Sequence, residues 1–382
     1  MRKNFKRLFI GVMLVCLVVC SAILVTQVGA QKSAQKTITV VDAMGNKVEL
    51  PYPVERIACF TPQASEIIVA LGEEDKIVGI DSFTKWCPEF YPTLKDKPLI
   101  GMVPVSPNYE KIIDLKPDVV LAYTDPLFNY PNLEETMSSA GIKVVRLDLY
   151  KPETFSREVN ILGKMLGEEK EAKEYIDFAE SYAKKIEEKV KDIPPEERVR
   201  VYYEWFMPYV AYGENTGPYQ LIEMAGGVNI VDREGGQALR MPGYSPEQAP
   251  GAPIYSMMSP EWIVGQDPQV IIKDYMPIAG MMPAGKKVNG YTSKPDTSGM
   301  RGERDKIMNR PGFKGIDAVK NGKVYVTPFA DFMLSPRWPV ALGYMAKWSY
   351  PDRFKDLDPE AFHKEWLKKW YGLEYKGIYV YP

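Results

Sequence analysis

Two glutamates sit in matched settings far apart in the chain. Glu110 follows Asn108 by two and precedes the run Pro117-Asp118-Val119-Val120-Leu121 by seven positions. Glu261 follows Ser259 by two and precedes Pro268-Gln269-Val270-Ile271-Ile272 by the same seven. Asn and Ser are N-cap residues, so each glutamate falls in the first turn of a short helix that leads through a proline turn into an apolar strand. An acid there has an ordinary use, stabilising the helix dipole by about 0.3–1 kcal/mol. Two such acids at equivalent places also form a two-point acidic footprint for a partner that carries arginines.

A second group of side chains lies just beyond the carboxyl ends of predicted strands, where ligands of open α/β sheets bind. In the first half these are Thr61, Gln63, Phe83, Trp86 and Tyr123, and in the second Tyr203, Trp205, Tyr275, Phe329 and Asp331. Aromatic faces suit a flat chelate or macrocycle, although the same rings equally fill cores. Arg337 follows Ser335-Pro336, a predicted N-cap and first helical residue, which puts a cation where the helix dipole disfavours it. It is therefore paired, with Asp331 as the candidate, or aimed at an anionic ligand group, and the second reading is preferred. Arg240 is a further candidate for an anion. The pairs Met257-Met258 and Met281-Met282 read as adaptable surface rather than as soft-metal ligands.

Other chemistry is excluded by composition. His363 is the single histidine, which removes multi-histidine metal sites and most histidine general-base catalysis, and it reads as a surface residue of a late helix. There is no Gly-x-Ser-x-Gly elbow, P-loop or dinucleotide fingerprint. No catalytic residue, cofactor or metal site is expected. A net charge of −2 argues against a nucleic-acid-binding surface.

The elements that must position these residues come in two series. A hairpin is predicted over 37–50 around Met44-Gly45-Asn46-Lys47. Strands follow at 57–60, 77–80, 119–123 and 142–147, separated by helices at 63–71, 109–115 and 133–140. The pattern restarts with strands at 199–205, 270–273 and 324–327 and helices at 219–225, 260–265 and 316–320, then helices at 336–348 and 359–371. Alternation of short apolar strands with amphipathic helices predicts doubly wound α/β lobes. Between the two series, residues 168–191 form an uninterrupted helical stretch about 35 Å long. Its apolar face is Ala172, Tyr175, Ile176, Ala179, Tyr182, Ala183, Ile186 and Val190, and Glu169/Lys173, Glu180/Lys184 and Glu187/Lys191 are acid-first pairs. A coiled-coil seam would read the same way, but matched half-chains on either side favour a spacer. The expected layout is a targeting segment at 1–30, a lobe at 37–151, a helical connector at 152–193 and a lobe with a helical tail at 198–382. Two loops rich in Gly, Pro and Met, at 232–257 and 276–302, are long enough to have a purpose of their own.

The N-terminus carries Arg2, Lys3, Lys6 and Arg7 before an apolar run from Leu8 to Val25 and the small-residue site Val28-Gly29-Ala30. This predicts export, with cleavage, lipidation at Cys20 and retention as a membrane anchor all left open. Outside the cytoplasm a disulfide between Cys59 and Cys87 is permitted, and the sequence does not decide it.

Several stretches carry a family resemblance. They are Asp42-Ala43-Met44-Gly45-Asn46 with Val54-Glu55-Arg56-Ile57, then 66–72 leading to Ile77-Val78-Gly79, Asn108-Tyr109-Glu110 with Leu115-Lys116-Pro117-Asp118-Val119, and Ala225-Gly226-Gly227-Val228-Asn229. Ser259-Pro260-Glu261 with Asp267-Pro268, and the run from Ala318 to Tyr325, complete the set. In this order they resemble the helical-backbone (class III) substrate-binding component of ATP-binding-cassette importers, the class that captures ferric siderophores, haem and cobalamin. The resemblance implies two α/β lobes joined by one long helix, and a monomer outside the cytoplasm that delivers its ligand to a permease and its ATPase. It also implies that Glu110 and Glu261 meet permease arginines. The expected ligand is a metal chelate, foremost an iron complex, with a corrinoid or an oxyanion such as molybdate or tungstate as alternatives. An exported sensor or a chelate-modifying enzyme on the same fold is the alternative of another class.

Overall fold

The computed structural model describes residues 36–103, 105–124, 130, 132–231, 236–238, 255–276, 290–332 and 335–382. The targeting segment, Arg240, Met281-Met282, most of the 232–257 loop and residues 277–289 of the other loop lie outside the described residues. The first lobe is built on a parallel four-stranded sheet in the order Ile77–Ile80, Ile57–Cys59, Val119–Ala122, Lys143–Arg146. Its central strands are buried throughout, which is why they read as short apolar runs rather than as alternating ones. Ahead of it, Thr37–Val41 and Lys47–Pro51 form the expected hairpin, with Gly45 at φ +83° in the turn.

The second sheet differs from a purely parallel one. Arg200–Glu204, Val270–Tyr275 and Val324–Pro328 are parallel as anticipated, with Val228–Asn229 added beside the first. On the other side Val210–Tyr212, Tyr255–Met258 and Gly236–Ala238 continue the sheet antiparallel. Those strands have three or four residues and flank a Gly- and Pro-rich stretch, so neither length nor alternation marks them in the sequence. Ser298–Met308 is likewise a helix where a loop was expected; only Met300 and Ile307 of it are buried, too few to make an apolar stripe.

The connector is a pair of helices, Pro152–Leu166 and Glu169–Val190. They approach closely because Gly163 has no side chain: a Cβ there would lie 2.5 Å from that of Ala172. The buried face of the longer helix is the set of eight residues that its periodicity predicts. Its charge pairs are different ones. Lys173 pairs with Asp177 at 2.7 Å and Lys191 with Glu188 at 2.6 Å, while Glu180 accepts from Ser156. All are exposed, so each contributes only tenths of a kcal/mol and their choice of partner is loosely determined. The helix is not a bare strut. Phe362 stacks on Tyr182 with ring centroids 3.6 Å apart, and Tyr175 packs edge-on against Trp366 and Trp370, all three partners on the Pro359–Tyr371 helix.

At the start of the connector, Glu158 accepts the backbone N–H groups of Asp148 (2.8 Å) and Leu149 (2.6 Å), and Leu149 has φ +61°. The buried carboxylate thus holds the elbow by which the chain leaves the first sheet. Burial, and then the neighbouring Asp148, push its pKa up to about 7.

The tail closes back over both lobes through Arg337. The helix here is Trp338–Ser349 with Arg337 at its N-cap, so Arg337 lies just before the first turn rather than in it. Its Nε donates to Glu66 of the first lobe (2.7 Å), its Nη2 to Asp331 (3.1 Å) and its Nη1 to Nε2 of His363 (2.9 Å). Tyr371 donates to the same Glu66 oxygen at 2.9 Å, and the guanidinium lies 4.7 Å from the Phe90 ring centroid. All of these groups are buried except Tyr371, which is half-buried. Pairing therefore replaces the anionic-ligand reading of Arg337, and it is what relieves a cation beside a helix start. His363 is not a surface residue either. Burial and the adjacent Arg337 keep its pKa well below the usual range, so the imidazole is neutral with its proton on Nδ1. Burial works against charge on Arg337, but Glu66 and Asp331 beside it hold the guanidinium firmly protonated.

Two outcomes follow from these contacts. Arg337→Met strands two buried carboxylates and should lower the urea-unfolding free energy by about 3–5 kcal/mol. Adding Glu66→Gln and Asp331→Asn should recover most of that loss; equal losses in the single and triple variants would show that ion pairing is not what holds this junction. For Glu158 the folded-state pKa lies above the ordinary 4.5, so its contribution is complete below that value and is lost as pH rises through about 7. Glu158→Gln keeps one acceptor and cannot ionise. The parent should lose stability relative to it between pH 5 and 8, with a slope of up to about 1.4 kcal/mol per pH unit, read from urea midpoints across that range.

Candidate functional site

Four of the residues expected beyond the strand ends, Phe83, Trp86, Trp205 and Phe329, come together from both sheets. Phe83 and Trp86 lie on the short helix Ser82–Trp86 that follows one strand, their rings edge-on at 5.8 Å. Phe83 also faces Phe329 of the second lobe at 6.3 Å. Phe206 packs edge-on against Phe329 at 5.4 Å and lies 4.2 Å from Trp205, which in turn meets Tyr255 at 5.3 Å. The result is an apolar aromatic floor shared by the lobes. The sequence does not single out Phe206 or Tyr255. Phe206 is one residue further from its strand end than Trp205, and Tyr255 belongs to a strand with no visible signature.

Two buried nitrogen donors just past the strand ends have no acceptor among the described residues. Gln63 accepts from the Tyr123 hydroxyl at 2.7 Å through Oε1, which leaves its buried Nε2 unsatisfied. Gln63 lies in the first turn of Pro62–Ala70, whose N-cap Thr61 accepts from the Ala64 N–H at 3.2 Å and whose first turn holds no acid. The buried indole Nε1 of Trp205 is the second. Leaving such a donor unpaired costs about 1–3 kcal/mol. Trp205 is held in place by its neighbour Glu204, a fully buried carboxylate gripped by both arms of Arg310 (2.7 and 3.0 Å) and by Lys273 (2.9 Å). Lys273 also donates to the Trp205 carbonyl. Burial would raise Glu204, but these cations outweigh it and keep its pKa below the ordinary range.

Other expected residues are used inside the protein. Tyr203 is buried in the sheet with its hydroxyl on Asp274 at 2.8 Å, where Tyr212 and Thr327 also donate. Burial pushes Asp274 up to about 7. The ring of Tyr275 covers the Ser298–Met308 helix, since a Cβ on Gly299 would come within 2.0 Å of its hydroxyl. Asp331 and Arg337 belong to the interlobe ion network. Cys59 and Cys87 are both buried thiols rather than a bridge. Cys87 follows the Ser82–Trp86 helix, which separates it from the strand end, and burial pushes the Cys59 thiol up to about 12. No group of three or more His, Cys, Asp and Glu side chains among the described residues could hold a metal ion.

The two glutamates occupy one repeated structural unit. Tyr109–Leu115 is capped by Asn108, which accepts from Lys111 N–H at 2.9 Å, and Pro260–Gln266 by Ser259, which accepts from Trp262 N–H at 3.1 Å. Each helix ends in a left-handed residue, Lys116 at φ 47° and Asp267 at φ 45°. An arginine caps each end: Arg56 donates to the carbonyls of Leu115 and Lys116, and Arg200 to those of Gln266 and Asp267. The backbone N–H of each arginine goes to the residue that opens the next strand, Asp118 in one lobe and Gln269 in the other. Glu110 and Glu261 are exposed on these rigidly held turns.

Comparison with known proteins places this architecture. The model of the periplasmic binding protein family matches residues 57–330. The chain is 26% identical over 335 residues to the uncharacterised ABC transporter substrate-binding lipoprotein YvrC of Bacillus subtilis, covering 85% of this chain and 90% of that one. It is 23% identical to the molybdate-binding protein MolA of Haemophilus influenzae over 390 residues, 93% of this chain and 96% of MolA. The structure of MolA bound to molybdate superposes with a TM-score of 0.68 over 89% of this chain and all of that one, at 21% identity. The TroA-like periplasmic binding protein FepB of Veillonella parvula superposes with a TM-score of 0.69, covering 90% and 99% of the two chains at 23% identity. The chain therefore belongs to the periplasmic binding protein family, as the two-lobed, non-catalytic substrate-binding component of an ABC importer that works outside the cytoplasm.

Proposed function

We propose that the ligand is a compact metal oxyanion of the molybdate or tungstate class, captured between the lobes and presented to the permease through Glu110 and Glu261. The observation that carries this is the pair of buried, unsatisfied N–H donors, Gln63 Nε2 and Trp205 Nε1, one at the carboxyl end of each sheet. An oxyanion offers only acceptors, and the acid-free first turn of Pro62–Ala70 adds the positive end of a helix dipole. The aromatic floor excludes water around these donors, which strengthens a hydrogen bond to an anion. The match to a molybdate-binding relative along nearly its whole length supports the same choice. An iron complex, foremost from sequence, has no comparable feature behind it.

Titration of Trp fluorescence or calorimetry with molybdate, tungstate, sulfate, a corrinoid and a ferric hydroxamate distinguishes the ligands. Molybdate and tungstate should saturate the protein, and Gln63→Ala should weaken them by about tenfold. Saturation by the corrinoid or the ferric chelate, with no response to either oxyanion, would overturn the assignment. Charge reversal of both glutamates, Glu110→Lys with Glu261→Lys, should abolish uptake while leaving ligand affinity unchanged; uptake that survives would remove the docking role.

A further inference from the structure

Few large apolar side chains among the described residues are exposed, and most of them cluster. Among the described residues, eight are exposed, and five of them lie on or beside the two glutamate-bearing helices: Leu99, Val105, Ile113, Met257 and Val264. The placement is duplicated. Ile113 follows Glu110 by three positions and Val264 follows Glu261 by three, so in each lobe an aliphatic side chain stands one turn along the same helix face as the carboxylate. Their exposures are close, 36% for Ile113 and 37% for Val264. Before each N-cap stands another, Val105 ahead of Asn108 and Met257 ahead of Ser259. In the first lobe an open groove of about 480 Å³, lined by Leu99, Met102, Pro107 and Tyr109, reaches Glu110 itself. A helix dipole has no use for an Ile or Val at this position, and core packing does not explain the third of each residue that is left facing water.

We infer that each docking point is a composite of one carboxylate and one aliphatic ridge, Glu110 with Ile113 and Glu261 with Val264. It fits a permease surface that offers, twice, an arginine bordered by an apolar side chain. This inference rests on the docking role proposed for the two glutamates and assigns a separate task to the residues beside them. A carboxylate–guanidinium pair in open water is screened and weak. An apolar border removes water from around it, as the ring of neutral contacts does around an interface hot spot. The two halves of each composite act on different rates. Charges at a rim steer association and make it salt-dependent, whereas buried apolar contact is lost only on separation and sets the dissociation rate. Because the unit occurs once per lobe, the two contacts act together, and weakening both aliphatic ridges multiplies their effects.

The test measures association and dissociation of the full-length protein on its permease–ATPase complex in nanodiscs, at two salt concentrations. Ile113→Ser with Val264→Ser should speed dissociation by at least tenfold with little change in association rate, salt dependence or molybdate affinity. Glu110→Gln with Glu261→Gln should instead slow association and flatten its salt dependence. Parental dissociation in the aliphatic variant, with association lost in the glutamine variant, would overturn the composite and leave the docking glutamates standing. Parental kinetics in both variants would remove the docking reading, and this inference with it. Sedimentation showing that the parent dimerises through this face, and that the aliphatic variant does not, would assign the ridges to a second copy of the chain and overturn the inference.

Discussion

A single buried guanidinium joins parts of the chain that share no local sequence. Arg337 meets Glu66, 271 residues earlier, together with Asp331 and His363, and the neutral imidazole is an acceptor that helps fill its fork without adding charge. Two carboxylates and one cation buried together are costly unless their geometry is right, so this junction tolerates little displacement. The connector helix determines how far apart the lobes stand. The arginine ties the first lobe to the tail, and the aromatic C-terminal helix packs along that connector. The aromatic floor spans the same boundary, where Phe83 and Phe329 face each other from the two lobes.

A second constraint is duplication. The same short helix, capped by a side chain at its start and by an arginine at its end, stands at the same step before a central strand in each sheet. What both copies share is an exposed acid on a turn that is capped at both ends. Two equivalent rigid points suit a partner that is itself repeated.

Much of this was legible in the sequence. The buried face of Glu169–Val190 follows from helical periodicity because one apolar stripe must be covered whatever covers it. The parallel strands stand out as apolar runs bounded by caps and turns. Glu110 and Glu261 were found by equal spacing to a Pro turn. The antiparallel strands and the Ser298–Met308 helix were hidden, since three-residue strands and a polar helix carry no periodic signal.

Local rules therefore settled the order of elements, the covered face of the connector and the position of both glutamates, because caps, periodicity and turns act over a few residues. Only the tertiary structure decided what each strand-end side chain does. Tyr203 and Trp205 are two positions apart and looked alike, yet one is spent on Asp274 and the other keeps a buried indole N–H unsatisfied. Arg337 looked like a ligand's counter-charge until folding brought Glu66 to it. The pairing of a buried polar group depends on which distant groups are packed within about 3 Å, and that distance is a property of the whole fold.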